Sequence, residues 1–139
     1  MAQVSTFGFS DFLREMQALG ENVDEIAEEM LDAGAEVATE EWKNGIREHD
    51  YIDTGDMLAS VGPNKNTKSS GLSSGARSVE IYPQGKDRKG IRNAEKAYML
   101  HYGTSKMRGS RFVDDIDERA EPKIQEAMEK VMDEHLKKI

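Results

Sequence analysis

A chain of 139 residues, 37% hydrophobic and 33% charged, has the size and balance of one domain, expected to span 1–139, with a modest core and a large wet surface. The absence of cysteine excludes disulfides and thiol catalysis and fits a reducing compartment. The net charge of −8 is unevenly spread, with 3 Lys/Arg against 15 Asp/Glu in residues 1–60, 11 against 3 in 61–111, and 5 against 9 in 112–139.

The first residues, MAQVSTFGFSDF, lack the basic and apolar regions of a signal peptide, and no later run is apolar enough to cross a membrane. Ser10 is a good helix cap, and residues 11–19 read as a short helix with Phe12, Leu13, Met16 and Leu19 on its apolar side and Gly20 as its stop. A longer helix restarts at Asn22 or Asp24. Val23, Ile26, Met30, Leu31, Val37, Ala38, Trp42 and Ile46 recur at steps of three and four, while Glu25, Glu28, Glu29, Asp32, Glu36 and Glu40 take the other face. Gly34 and Ala38 are small enough to admit a close neighbour, and Trp42 is expected to anchor the core.

Thr54 to Leu58 could make a helical turn or lead straight into a strand near 58–65, which Gly62 and Pro63 would limit. Residues 64–76, NKNTKSSGLSSGA, are polar and aperiodic, so a long flexible loop is expected there. Residues 77–83 alternate as a strand, with Val79 and Ile81 on one face and Glu80 and Tyr82 on the other. A second loop, 84–91, carries Lys86, Arg88 and Lys89 and is expected to be an exposed arm whose charge reversal leaves stability nearly intact but weakens assembly. Asn93 is expected to cap a helix over 93–102, with Ala94, Ala97, Tyr98, His101 and Tyr102 near one docking face and Gly103 as its left-handed stop. A third basic loop, 103–110, holds Lys106 and Arg108. The last helical region contains Pro122, so a kink near Ala120 or two abutting helices is expected. Ile124, Met128, Val131, His135 and Ile139 mark its inward stripe.

The expected architecture is α+β. A small antiparallel sheet, built from segments near 58–65 and 77–83 with an extended segment near 104–111 as a possible third strand, packs against the long N-terminal helix and the C-terminal helix.

Residues 92–104, RNAEKAYMLHYGT, together with Asp53-Thr54-Gly55-Asp56-Met57-Leu58-Ala59-Ser60 and Arg111-Phe112-Val113, stand in the order of three sequence blocks. In these the chain resembles the phage head–tail joining family, also described as tail-completion or minor tail components. The resemblance implies a structural subunit of the phage neck, joining the head connector to the tail as a ring of six copies, with connector and tail proteins as partners. It implies location in the virion neck and, during assembly, in the bacterial host cytoplasm. By this match Thr54, Gly55, Leu58 and Ser60 shape the turn into the sheet. Asn93, Ala97, Tyr98, Tyr102, Gly103 and Thr104 shape the central helix and its exit, and Phe112 opens the last helix. His101 stands where the family often has glutamate, so no carboxylate role is carried over to it.

Chemistry is weighed against plainer readings. Gly71-Leu72-Ser73-Ser74-Gly75 matches the hydrolase elbow pattern, but it lacks the preceding buried strand and following helix, and it reads as a loop tip. Asp115, Asp117 and Glu126 fall at calcium-loop positions, but Arg119 takes a ligand place and Ala120 replaces the required glycine, so a solvated acidic face is expected. His49, His101 and His135 lack metal-ligand spacing. No enzyme, cofactor or metal is expected. Lys65, Lys68, Lys86, Arg88, Lys89, Lys106 and Arg108 are the candidate interface or DNA-facing residues. No aromatic interleaves these cations in the sequence, so a nucleic-acid-binding accessory protein is the second reading.

Overall fold

The structure is a computed structural model that describes residues 2–51, 54–69 and 77–138, without the side chains of 2 and 65–69. The elements in chain order are β1 (Ala2–Ser5), a 3-10 turn (Phe7–Phe9), α1 (Ser10–Ala18), α2 (Val23–Glu48), α3 (Asp56–Ser60), β2 (Val61–Ser69), β3 (Ser78–Pro83), α4 (Asn93–Tyr102), β4 (Gly103–Thr104), β5 (Met107–Arg108) and α5 (Phe112–Lys137). The fold is α+β, as the periodicity predicts.

The backbone is the antiparallel pair α2 and α5, each about 39 Å long at 1.5 Å per residue. Asn22 Oδ1 caps α2 by accepting from the backbone N–H of Asp24 and Glu25. The stripe Ile26, Met30, Leu31, Ala38, Trp42 and Ile46 is buried, and Ile116, Ala120, Met128 and Val131 of α5 are buried with it. Two glycines of α2 set the spacing. A Cβ on Gly45 would lie 2.4 Å from Ile116 Cγ1, and one on Gly34 would lie 2.6 Å from Val4 Cγ1. Pairs that cross between the helices include Glu29 with His135, Glu41 with Lys123 and Glu48 with Arg119.

The sheet differs from the expected one in its third strand. Its order is β1-β3-β2, antiparallel throughout, with Val4 opposite Val79 and Pro63 opposite Ile81. The third strand is therefore the N-terminal segment, not 104–111, which makes a separate two-stranded hairpin, β4–β5. β1 is held at its end by Thr6, which exchanges hydrogen bonds with the Arg77 backbone. Val79 and Ile81 point into the core as their alternation requires.

Other expectations need correction. β2 runs past Pro63 to Ser69, with a register irregularity between Asn64 and Ser69, so 64–69 is strand rather than loop. β2 is an edge strand, where a missing N–H on the open side costs no ladder bond. Residues 58–60 complete α3 instead of starting that strand. Residues 70–76, with the Gly71–Gly75 motif, lie outside the described residues, as does Asp53. α5 passes through Pro122 as one element, not two abutting helices, because both of its halves pack on α2. Asp115, Asp117 and Glu126 all lie on this helix, as expected once a calcium loop is set aside.

Candidate functional site

The short helix α4 organises the end of the molecule where α2 finishes and α5 begins. Its entry differs from expectation. Arg92, not Asn93, is the N-cap, with no side-chain cap bond. Asn93 is buried, its side-chain amide donating to Gln84 O at 2.8 Å and its backbone N–H to Gly85 O at 2.9 Å. It ties the 84–91 loop to the helix.

That loop is not a free arm. Arg88 grips Asp56 of α3 through Nε–H at 2.9 Å and an NH2 group at 2.8 Å. The guanidinium bonds, reinforced by the Arg88 backbone N–H, hold the Asp56 carboxyl far below the usual carboxylate range. Asp87 is buried, accepting from the backbone N–H of Lys89 and Ile91 at 2.9 Å each and facing the Lys96 ammonium. Charge reversal at Arg88 therefore breaks a tertiary contact, contrary to the expectation for the loop as a whole. Lys86 is exposed, its backbone bridged to Arg92.

The exit of α4 is fixed by Gly103, at φ 91 and ψ 177, a conformation that only glycine adopts without strain. His101, buried at 5% exposure, accepts at Nδ1 the backbone N–H of Val113 at 3.2 Å. The N-cap of α5, Arg111, sits at φ 58 and offers no side-chain cap, so His101 caps α5 from the preceding helix. A backbone N–H must donate, so Nδ1 is unprotonated in this arrangement.

The sequence blocks meet in space. Thr54 and Gly55 line a cleft of ≈380 Å³ with Lys96, Met99, Leu100 and Thr104. Gly55 turns into α3 at φ 85, Thr54 Oγ1 accepts from Asp56 N–H, and Ser60 Oγ donates to Met57 O. Leu58 is half-buried against the core. Phe112, fully buried, packs edge-on against Trp42 at 6.0 Å and against Tyr51 at 5.1 Å.

The expected docking face of α4 splits. Ala97 is buried, but Tyr98 and Tyr102 are 63% and 54% exposed, their rings 4.6 Å apart. They form one wall of a groove of ≈610 Å³ whose other sides come from Trp42 of α2, Pro83 of β3, and Asp114 and Asp117 of α5. Arg111 lies over the Tyr102 ring at 5.0 Å. Burial, with Asp114 nearby, pushes the Asp117 carboxyl above its ordinary value. The tyrosine pair, four residues apart on one helix, was the available sequence signal. The floor was not legible, because its residues come from three other elements.

Of the cations, Lys106 and Arg108 are exposed on the β4–β5 hairpin, and Lys86, Arg88 and Lys89 on the 84–91 loop. Lys65 and Lys68 fall on β2, and their side chains lie outside the described residues. Arg111 thus has an aromatic ring beneath it, and Arg92 lines the same groove as Tyr98 and Tyr102. Among the described residues no helix is long and apolar enough to cross a membrane.

No curated protein and no solved structure matches the chain. Residues 10–103 match the HK97-gp10-like family, described as a bacteriophage HK97-gp10 tail component. The match takes in α1 to α4 together with β2 and β3, about two thirds of the chain, so the protein belongs to the HK97-gp10-like family of bacteriophage tail components.

Proposed function

We propose that the protein is a ring-forming subunit of the phage neck, a hexamer that joins the head connector to the tail and completes tail assembly. It is made in the host cytoplasm and ends in the virion neck. Its work is mechanical, by ring closure and docking onto connector and tail proteins, and no reaction or cofactor is assigned to it. Family membership supports a tail role. The observation that carries the finer reading is the groove beside Tyr98 and Tyr102, an exposed aromatic surface on an otherwise highly charged chain. Tyrosine and tryptophan are the side chains enriched where proteins meet. Charge supports assembly too, since the acidic start of α2 and the basic 84–111 segment lie at opposite ends of the long helix pair. Sedimentation velocity across a concentration series, with and without purified connector and tail proteins, tests the reading. Discrete rings or template-dependent oligomers are expected. A chain that stays monomeric and binds neither partner overturns it.

The alternative, a nucleic-acid-binding accessory protein, draws on the Arg111–Tyr102 stack beside Arg92. Steeply salt-dependent DNA binding by the monomer would favour it.

A further inference from the structure

Trp42 and Asp117, both in the lining of the groove beside Tyr98 and Tyr102, each carry a buried polar atom with no hydrogen-bond partner among the described residues, Trp42 Nε1 and Asp117 Oδ1. Trp42 is only 1% exposed. The exposed rings of Tyr98 and Tyr102 along an open groove suit a docked peptide segment.

The chain itself carries a segment of matching chemistry. The β4–β5 hairpin turns through Ser105 and Lys106 and leaves Met107 43% exposed between Lys106 and Arg108. A thioether packs well on tyrosine rings. The groove lining carries Glu95, Asp114 and Asp117 against Arg92, with Arg111 over the Tyr102 ring, so carboxylates still outnumber cations there, whereas the hairpin carries two cations and no carboxylate. The two surfaces lie on different sides of α4. Glu95, Tyr98 and Tyr102 face the groove, while Lys96, Met99 and Leu100 face the cleft that Met107 helps to line. Met107 is therefore turned away from its own groove. A contact between two different patches is heterologous, and such contacts repeat head to tail until they close.

The geometry points to the β4–β5 hairpin of one copy as the occupant of the neighbouring copy's groove, with Met107 seated on Tyr98 and Tyr102. This rests on the ring reading above and names the contact that builds the ring.

The cysteine-free chain makes the test clean. Met107→Cys and Tyr98→Cys are made separately; both positions are surface-exposed, and circular dichroism checks their folds. The two variants are mixed, oxidised and run on a non-reducing gel. A covalent dimer is expected from the mixture at several-fold the yield of either variant alone, and a ladder ending in a closed species from the double variant. In the wild-type background, Lys106→Glu with Arg108→Glu is expected to weaken self-association at least tenfold in sedimentation velocity. If the wild type self-associates but the mixture gives no excess dimer, or the double charge reversal leaves association unchanged, the hairpin contact is wrong and the ring stands. If the wild type is monomeric at every concentration, with and without its partners, both are wrong.

Discussion

Asp87 and Lys96 form an ion pair in which the carboxylate is 1% exposed and the ammonium 19%. The same carboxylate accepts two backbone N–H groups of its own loop, so it fixes the 86–91 turn and fastens it to α4. The Lys96 hydrogen bond, then the Ile91 N–H, hold the Asp87 carboxyl below its ordinary value despite burial. A depressed carboxylate adds stability that is complete above its unfolded value of about 3.9 and is lost as pH falls through the lower folded value. Asp87→Asn is therefore expected to melt below wild type at pH 7, with the gap closing as pH falls below about 4. Thermal melts at stepped pH check this; a gap that does not change with pH would show that the pair contributes no charge-dependent stability.

Arg88 and Lys86 separate a tertiary contact from surface charge. Arg88→Glu sets a second carboxylate against Asp56 and is expected to lower the melting temperature clearly. Lys86→Glu changes an exposed side chain and is expected to stay within about ±0.5 kcal/mol of wild type. Denaturant melts of the two variants side by side decide it, and equal stabilities would remove the Arg88–Asp56 contact from the account.

Gly103 and Gly109 press their backbones together. A Cβ on Gly103 would lie 2.5 Å from Gly109 N, and one on Gly109 would lie 2.3 Å from His101 O. Neither neighbour is a side chain that can swing away. Alanine at either position is expected to cost about 1–3 kcal/mol, on the order of 4 °C per kcal/mol in melting temperature. Gly8→Ala is the control, since nothing lies within 4 Å of its Cβ position. A Gly103→Ala protein as stable as that control would contradict the packing at the exit of α4.

His101→Ala removes the acceptor for Val113 N–H in a buried position. The expected loss is about 1–3 kcal/mol, the cost of a stranded donor. His101→Asn, whose side-chain oxygen can reach a similar place, should recover part of it. If alanine and asparagine lose the same amount, packing rather than capping explains the residue.

The sequence by itself determined the elements whose signals are local. The stripe from Ile26 to Ile46 specifies α2, the alternation of Val79 and Ile81 specifies β3, and Gly103 stops α4 at positive φ. These follow from periodicity and from the one residue type that tolerates such a turn. Only the tertiary structure decided what depends on distant partners. Residues 2–5 carry too short a pattern to announce a strand, and they become one because β3 offers an open edge and Gly34 leaves room for Val4. Arg88 reads as a solvated cation until the fold sets Asp56 against it. Tyr98 and Tyr102 sit at core-like spacing, yet they face outward because Ala97 and His101 take the inward side of α4. The groove between them and Trp42 exists because four separate elements converge there, and spacing along one chain does not encode such convergence.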